Sequence, residues 1–439
     1  MIEDTILKRV IPTHADSLKI KSAAEELKSK CADTIKKLKI NAEPILVGSV
    51  AKGTYLKKPD IDIFIMFPKD TKRDVLEKYG LKIGETVLNG ERKYAEHPYT
   101  TGVYKGYEVD IVPCYKITDT KEKMSAVDRT PFHTKYIIEN LEGKQKNDVR
   151  LLKQFMKGVG VYSAEARIQG FSGYLSELLI LKYRNFNSLI KEGGNWKRRT
   201  MIGENAERFD EPMVFVDPVD ENRNVASALS NEKLSLFIHA CMEYIKNPRI
   251  EFFFPKKIKP LSKKQILKMM NERETGFTAL IFDKPGIIDD NLYPQLRKCE
   301  KSIRALCTEN DFRVIDSGFY VNNEIFMIFE LDSLKLPNMK KHYGPMIFLS
   351  DAKNFREKWK KNVFTKPYIE KNRWVVNIKR KYPDVKNLLN EKITGLSTGR
   401  DVLKSVRKKF KIVEGKNIVT KKYVLYLTMF MDKKFRWEY

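Results

Sequence analysis

Apolar positions recur every three or four residues from about residue 15 to 38, through Leu18, Ala23, Leu27, Cys31 and Ile35. They predict a long helix with one buried stripe. The period then changes. Short apolar runs near 44–48, 61–67, 92–98, 101–105 and 107–113 predict strands, with a helix near 71–80 and a Lys105-Gly106 hairpin turn before the last strand. From about 130 to 250 the helical spacing returns in His133–Leu141, Asp148–Lys157, Gly170–Arg184 and Asn231–Ile245, so this stretch is expected to be mainly helical. Pro255-Lys-Lys-Ile-Lys-Pro260 reads as a linker. Beyond it, a strand at 276–282, a helix at 291–308 and strands at 312–320 and 324–331 follow one another. That β-α-β-β order suggests a ferredoxin-like or RNA-recognition-like module. The end alternates helix and strand and closes with a helix near 416–433. No repeat or low-complexity tract interrupts the pattern.

One apolar run carries charges that need an explanation. Asp60 and Asp62 flank Ile61 at the start of Ile61-Asp-Ile-Phe-Ile-Met-Phe67. In a strand, residues two apart point to one face, about 7 Å apart at Cα. Two partly desolvated anions at that spacing repel unless a cation sits between them, and Mg²⁺ prefers oxygen ligands. Upstream lies Gly48-Ser-Val-Ala-Lys-Gly-Thr54, a turn opening toward a helix, whose N–H groups could face a phosphate. The ten residues between Ser49 and Asp60 leave room for a helix of two to three turns. The run is not a P-loop, because Lys52 precedes Gly53 instead of following it. A two-metal site calls for a third carboxylate. Asp110, between Val109 and Ile111 in the predicted return strand, is one candidate; Glu108, on the same face, is the other.

Composition narrows the partners. Lys and Arg number 83 against 57 Asp and Glu, a net charge of +26 that favours a polyanion. Twenty tyrosines supply stacking surface beside that charge. At 439 residues the chain is too long for one core. Cys31, Cys114, Cys241, Cys299 and Cys307 form no CxxC pair and read as mostly buried reduced thiols, which suits the cytoplasm. No leader pattern and no long apolar run appear, so no membrane partner is expected.

Gly48-Ser49, Asp60-x-Asp62 and Asp110 together resemble the DNA polymerase β-type nucleotidyltransferase superfamily. Arg92–Tyr99, Val109–Tyr115, Ser125-Ala-Val-Asp-Arg-Thr-Pro-Phe-His133, Arg150–Lys153, Arg167–Tyr174, Asp217-Pro-Val-Asp-Glu-Asn-Arg-Asn-Val-Ala226 and Asp289–Leu296 narrow the resemblance to the archaeal, class I CCA-adding enzymes. It spans nearly the whole chain. It implies an α+β multidomain fold: a polymerase β-like nucleotidyltransferase catalytic head (1–140), a mainly helical central nucleotide-binding domain (141–255) and an α/β C-terminal tRNA-binding body and tail (256–439). It implies two Mg²⁺ ions on Asp60, Asp62 and Asp110, and CTP and ATP as substrates. The triphosphate would meet Ser49 and Lys52, and further nucleotide contacts would come from His133, Lys153 and Tyr162. Arg223 would read the base edge. The partner would be the acceptor stem and 3′ end of tRNA. A homodimer is compatible with the resemblance, while the sequence fixes no oligomeric state. The family often has Arg where this chain has Lys52, which keeps the charge and loses the bidentate fork. Read without the family, Lys153 is the solvated edge of an amphipathic helix, His133 a structural histidine, and Arg223 a loop partner of Asp217 or Asp220.

Overall fold

The computed structural model describes residues 2–94 and 98–439, which form two compact units: residues up to Lys257 together with Phe435–Tyr439, and Ile258–Lys434. The first unit opens with α1 (Ile2–Val10) and α2 (His14–Lys37). A Thr13/Asp16 capping box starts α2, and Ile20, Ala23, Ala24, Leu27, Cys31 and Ile35 form its buried stripe. Leu18, expected on that stripe, is exposed.

The strands β1 (Glu43–Val47), β2 (Ile61–Pro68), β3 (Glu91–Tyr94), β4 (Pro98–Tyr104) and β5 (Tyr107–Lys116) form one mixed sheet in the order β1-β2-β5-β4-β3. Only β2 and β5 pair in parallel. Of the strand expected at 92–98, residues 95–97 lie outside the described residues. The helix α3 (Gly48–Lys52) is a single short turn, not the two to three turns expected, because Gly53 adopts φ +71° and ends it. The next helix, α4 (Arg73–Leu88), runs eight residues past the expected end before Asn89 closes it in a left-handed conformation. Ile61, Ile63, Ile65, Val109 and Ile111 are fully buried between this sheet and α2 and α4.

Five further helices follow: α5 (Thr130–Asn140), α6 (Gln145–Val159), α7 (Gly173–Tyr183), α8 (Phe186–Gly193) and, later, α9 (Asn231–Lys246). Phe155 lies at the centre of their core, touching Phe186, Phe237, Tyr244, Phe252 and Phe253. Between α8 and α9 this mainly helical stretch also holds strands that the sequence pattern did not announce. A small sheet of β6 (Thr200–Ile202), β7 (Met213–Asp217) and β8 (Asp220–Asn224) stands there. Its last strand, Asp-Glu-Asn-Arg-Asn, has no apolar alternation to betray it.

The second unit contains α10 (Lys263–Glu272), β9 (Gly276–Asp283), α11 (Asp289–Glu309), β10 (Val314–Val321) and β11 (Glu324–Leu331). A three-stranded insertion follows: β12 (Met339–Met346), α12 (Ala352–Trp359), β13 (Tyr368–Glu370) and β14 (Arg373–Lys379). Then come α13 (Val385–Lys392), α14 (Arg400–Lys408), β15 (Phe410–Glu414) and α15 (Val424–Asp432). The sheet order β10-β11-β9-β15, antiparallel throughout, is the split β-α-β arrangement of ferredoxin-like modules. β11 is buried on both faces: Ile325, Met327 and Phe329 join the core with α11, α13 and α14, while Phe326 and Ile328 join that with α10 and α15. Gln295 caps α14, its side-chain oxygen accepting from the N–H groups of Asp401 and Val402 at 2.9 and 3.2 Å. The expected closing helix over 416–433 is instead a 3₁₀ turn, Gly415–Ile418, followed by α15.

Candidate active site

The parallel pairing of β2 with β5 sets Asp62 directly opposite Asp110 and Ile61 opposite Val109. The buried isoleucines and Val109 point one way, so Asp60, Asp62, Glu108 and Asp110 share the other face. Asp60 and Glu108 are exposed at its edge, whereas Asp62 and Asp110 are half-buried. Burial, then the charges of Asp110 and Asp60, push the Asp62 carboxyl up to about 7, against the pull of Lys52. Asp60 is also raised, by burial and by Glu108 and Asp110, with Lys157 acting the other way. Gly48 is required beside them. Its φ is +73°, and a Cβ there would lie 2.0 Å from Asp62 Oδ2.

Carboxylates that repel one another in this way, on neighbouring strands with one face in common, fit a hard cation by donor type and placement. Among the described residues, however, no three His, Cys, Asp or Glu side chains are already drawn together to hold a metal ion.

A second group lies one helix away. At the far end of α3, Lys52 Nζ meets Glu177 Oε2 at 2.5 Å. Thr54 donates its hydroxyl to Glu177 Oε1 at 2.5 Å, and Lys153 Nζ reaches the same oxygen at 3.0 Å and Thr54 Oγ1 at 3.1 Å. All four residues are buried. Burial raises the Glu177 carboxyl, but Lys153, Lys52 and the Lys52 and Thr54 hydrogen bonds outweigh it and hold it at about 2. Arg150 fastens the loop after α3, donating to the carbonyls of Gly53 at 2.6 Å and Tyr55 at 3.0 Å.

A third group centres on Asp217. Its Oδ2 lies 3.0 Å from His133 Nε2 and accepts from Arg223 at 2.8 Å. Its Oδ1 accepts from the Tyr174 hydroxyl at 3.0 Å and the Val219 N–H at 3.1 Å. His133 stacks on Tyr174 with centroids 4.0 Å apart. Burial lowers His133 more than Asp217 raises it, so the ring stays neutral near pH 7. Burial raises Asp217, yet the contacts from His133 and Arg223 hold it at about 2. Tyr174 and Glu177 stand three residues apart on α7, and thus on one face. Lys52 Nζ lies 5.9 Å from the centre of the Tyr174 ring.

Residues 28–133 match the family described as nucleotidyltransferase domain, 147–254 that described as tRNA nucleotidyltransferase, second domain, and 273–415 that described as CCA-adding enzyme, C-terminal domain. The CCA-adding enzyme of Methanosarcina barkeri is 41% identical over 94% of this chain and 93% of its own length. That of Thermoplasma volcanium is 40% identical over 94% of each chain, and that of Archaeoglobus fulgidus 38% identical over 95% of each. The chain belongs to the family of CCA-adding tRNA nucleotidyltransferases. It is therefore an enzyme of a superfamily that works with divalent metal ions. Among solved structures, a Cid1 poly(U) polymerase chain is similar at 13% identity and a TM-score of 0.45 over 56% of this chain.

Of the residues named from the sequence for this family, Asp60, Asp62 and Asp110 lie on one face, Lys52 and Lys153 meet on Glu177, and His133 and Arg223 meet on Asp217. Ser49 is half-buried in the first turn of α3. Tyr162 follows α6, with Lys157 Nζ 5.2 Å from its ring centre. Lys153 is not a solvated helix edge: α6 is covered on almost every side, and only a buried counter-charge makes the lysine tolerable there. The ion pair considered for Arg223 is formed, with Asp217; Asp220 instead pairs with Lys123 and Arg129. Sequence reasoning missed Glu177 and Tyr174 as organising residues. Glu177 had a signal: a single acid among Leu175, Leu178, Leu179 and Ile180 asks for a buried cation.

All five cysteines are free and buried. Among the described residues no helix is long and apolar enough to cross a membrane.

Proposed function

We propose that this chain builds and repairs the 3′-terminal CCA of tRNA, transferring CMP from CTP and then AMP from ATP without a nucleic-acid template and releasing pyrophosphate. One observation supports this reading above the others. The acidic face, the lysine pair and the Asp217 group are strung on two short elements. α3 runs from Gly48, against Asp62, to Lys52, on Glu177; α7 then carries Glu177 and Tyr174, the latter on Asp217. A nucleotide spanning them would have its phosphates at one end and its base at the other.

Asp60, Asp62 and Asp110 would hold the divalent ions, which we take to be two Mg²⁺. When bound, such ions favour the ionised tRNA 3′-hydroxyl and stabilise the departing pyrophosphate. The lysines contribute independently of them. Lys52, Lys153 and Glu177 carry one surplus positive charge, which with Ser49 suits a triphosphate. Arg223 uses one nitrogen on Asp217, so other N–H donors remain for the acceptors of cytosine or adenine. Tyr162 and the neutral His133 would line the nucleoside. We assign the catalytic head, with Ser49, Lys52 and His133, to residues 1–140, the further nucleotide contacts to 141–255 and tRNA binding, through backbone phosphates, to 256–439. Affinity for tRNA should therefore fall steeply with salt.

The test uses tRNA lacking its CCA end, sized on gels after incubation with CTP, ATP or both. The reading expects two residues added with CTP alone, none with ATP alone and three with both. Long tails from ATP alone would point to a poly(A) polymerase-like activity instead.

A further inference from the structure

Glu177 is fully buried and belongs to α7, away from the strands that carry the acidic face. It nevertheless touches both buried lysines of the proposed triphosphate site. One carboxylate oxygen takes Lys52 Nζ at 2.5 Å; the other takes Lys153 Nζ at 3.0 Å and the Thr54 hydroxyl at 2.5 Å. The lysines come from α3 and α6, and the acid from α7. Two flexible ammonium groups from different helices would repel one another in a buried site. A single shared carboxylate removes that repulsion and fixes both positions, while leaving one positive charge uncancelled.

We infer that Glu177 is a positioning residue that holds Lys52 and Lys153 together as a preformed clamp for the β- and γ-phosphates of the incoming nucleotide. The inference rests on the nucleotide site proposed above. It makes a demand that a packing role does not. Loss of the Glu177 charge should harm ligands in proportion to the phosphates they carry, and should leave base choice alone, because phosphates carry no base identity.

The experiment is binding of CTP and CMP, with Mg²⁺ present, to the full-length wild-type chain and to Glu177→Gln, by titration calorimetry, after circular dichroism and melting have shown that the variant is folded. CTP should bind at least about tenfold more weakly to Glu177→Gln, and CMP within about twofold of wild type. Glu177→Asp, which keeps the charge, should recover most of the loss. The ratio of CTP to ATP specificity constants should not move. Equal weakening of CTP and CMP, or unchanged CTP binding, would overturn the inference. Should Glu177→Gln fail to fold, Thr54→Val serves: it removes the hydroxyl that touches both Glu177 and Lys153 and keeps all three charges. It should weaken CTP about threefold and leave CMP unchanged, and parity between the two would again overturn the inference. A wild-type chain that adds no CMP to tRNA would defeat the proposed function; a wild-type chain that does, beside a Glu177→Gln chain that binds CTP normally, would defeat this inference alone.

Discussion

Two sets of carboxylates share the first unit and behave in opposite ways. Glu177 and Asp217 are enclosed, yet both are held near 2, because lysines, arginine, histidine and hydroxyls from neighbouring elements meet them. Asp60 and Asp62 are both raised, Asp62 to about 7, by burial and then by the charges of neighbouring acids. The difference is one of supply. The fold sets cations directly against the first set, while Lys52 and Lys157 only partly offset the second, which on our proposal is where the divalent ions bind. A raised acid beside a neutralised one marks where a ligand belongs more clearly than either does alone.

The largest expected effect comes from the uncompensated set. Asp62→Asn or Asp110→Asn should lower transfer of both CMP and AMP by about three orders of magnitude or more, since the carboxylates would hold ions that supply several kcal/mol of transition-state stabilisation. Single-turnover assays with labelled CTP and ATP measure it. Loss of one activity without the other would separate two sites where one is proposed.

Next comes a break in the compensated set. Arg223→Ala should cost about 1–3 kcal/mol in discrimination of CTP and ATP against UTP and GTP, the scale of a base-edge contact. Specificity constants for the four nucleotides check it; uniform slowing with unchanged selectivity would make Arg223 a structural partner of Asp217.

The pH dependence sharpens the same contrast. Because the Asp62 carboxyl is raised, the folded protein without metal keeps a proton that the unfolded chain releases near pH 4. Its contribution to stability is present below that pH and is lost as pH rises toward 7. A cation must displace that proton, so apparent metal affinity should climb about tenfold per pH unit below 7 and level off above it. Titrations of the wild-type chain with Mn²⁺ between pH 5.5 and 8.5 follow this, and an affinity independent of pH would contradict it. The smallest effect should be that of Glu108→Gln. Exposed at the rim of the acidic face, Glu108 should change turnover by less than about twofold; a loss as large as that of Asp110→Asn would make it the third ligand.

The acidic face was legible because strand period is a local property. Two aspartates two residues apart in an apolar run fix their own direction, and the family motif named their partner. The α2 stripe was legible for the same reason, apart from exposed Leu18. What failed were statements about burial and partnership across the chain. Lys153 looked solvated because no window of sequence around it contains Glu177, 24 residues later. The β6-β7-β8 sheet went unread because its strands are three to five residues long and the last is entirely polar. Its role is to carry Asp217 and Arg223, so polarity suited to the site erased the signal of the strand. The short α3 was lost to Gly53, whose left-handed backbone ends the helix early.

We propose that Asp62 and Asp110 accept an external cation which the built ion pairs cannot replace. Electron paramagnetic resonance of Mn²⁺ with wild-type chain, Asp62→Asn, Asp110→Asn and Glu177→Gln at pH 8, each with CTP present, tests it directly. Binding should survive in wild type and Glu177→Gln and be lost in both aspartate variants. Mn²⁺ held by Asp62→Asn and Asp110→Asn as tightly as by wild type would contradict it.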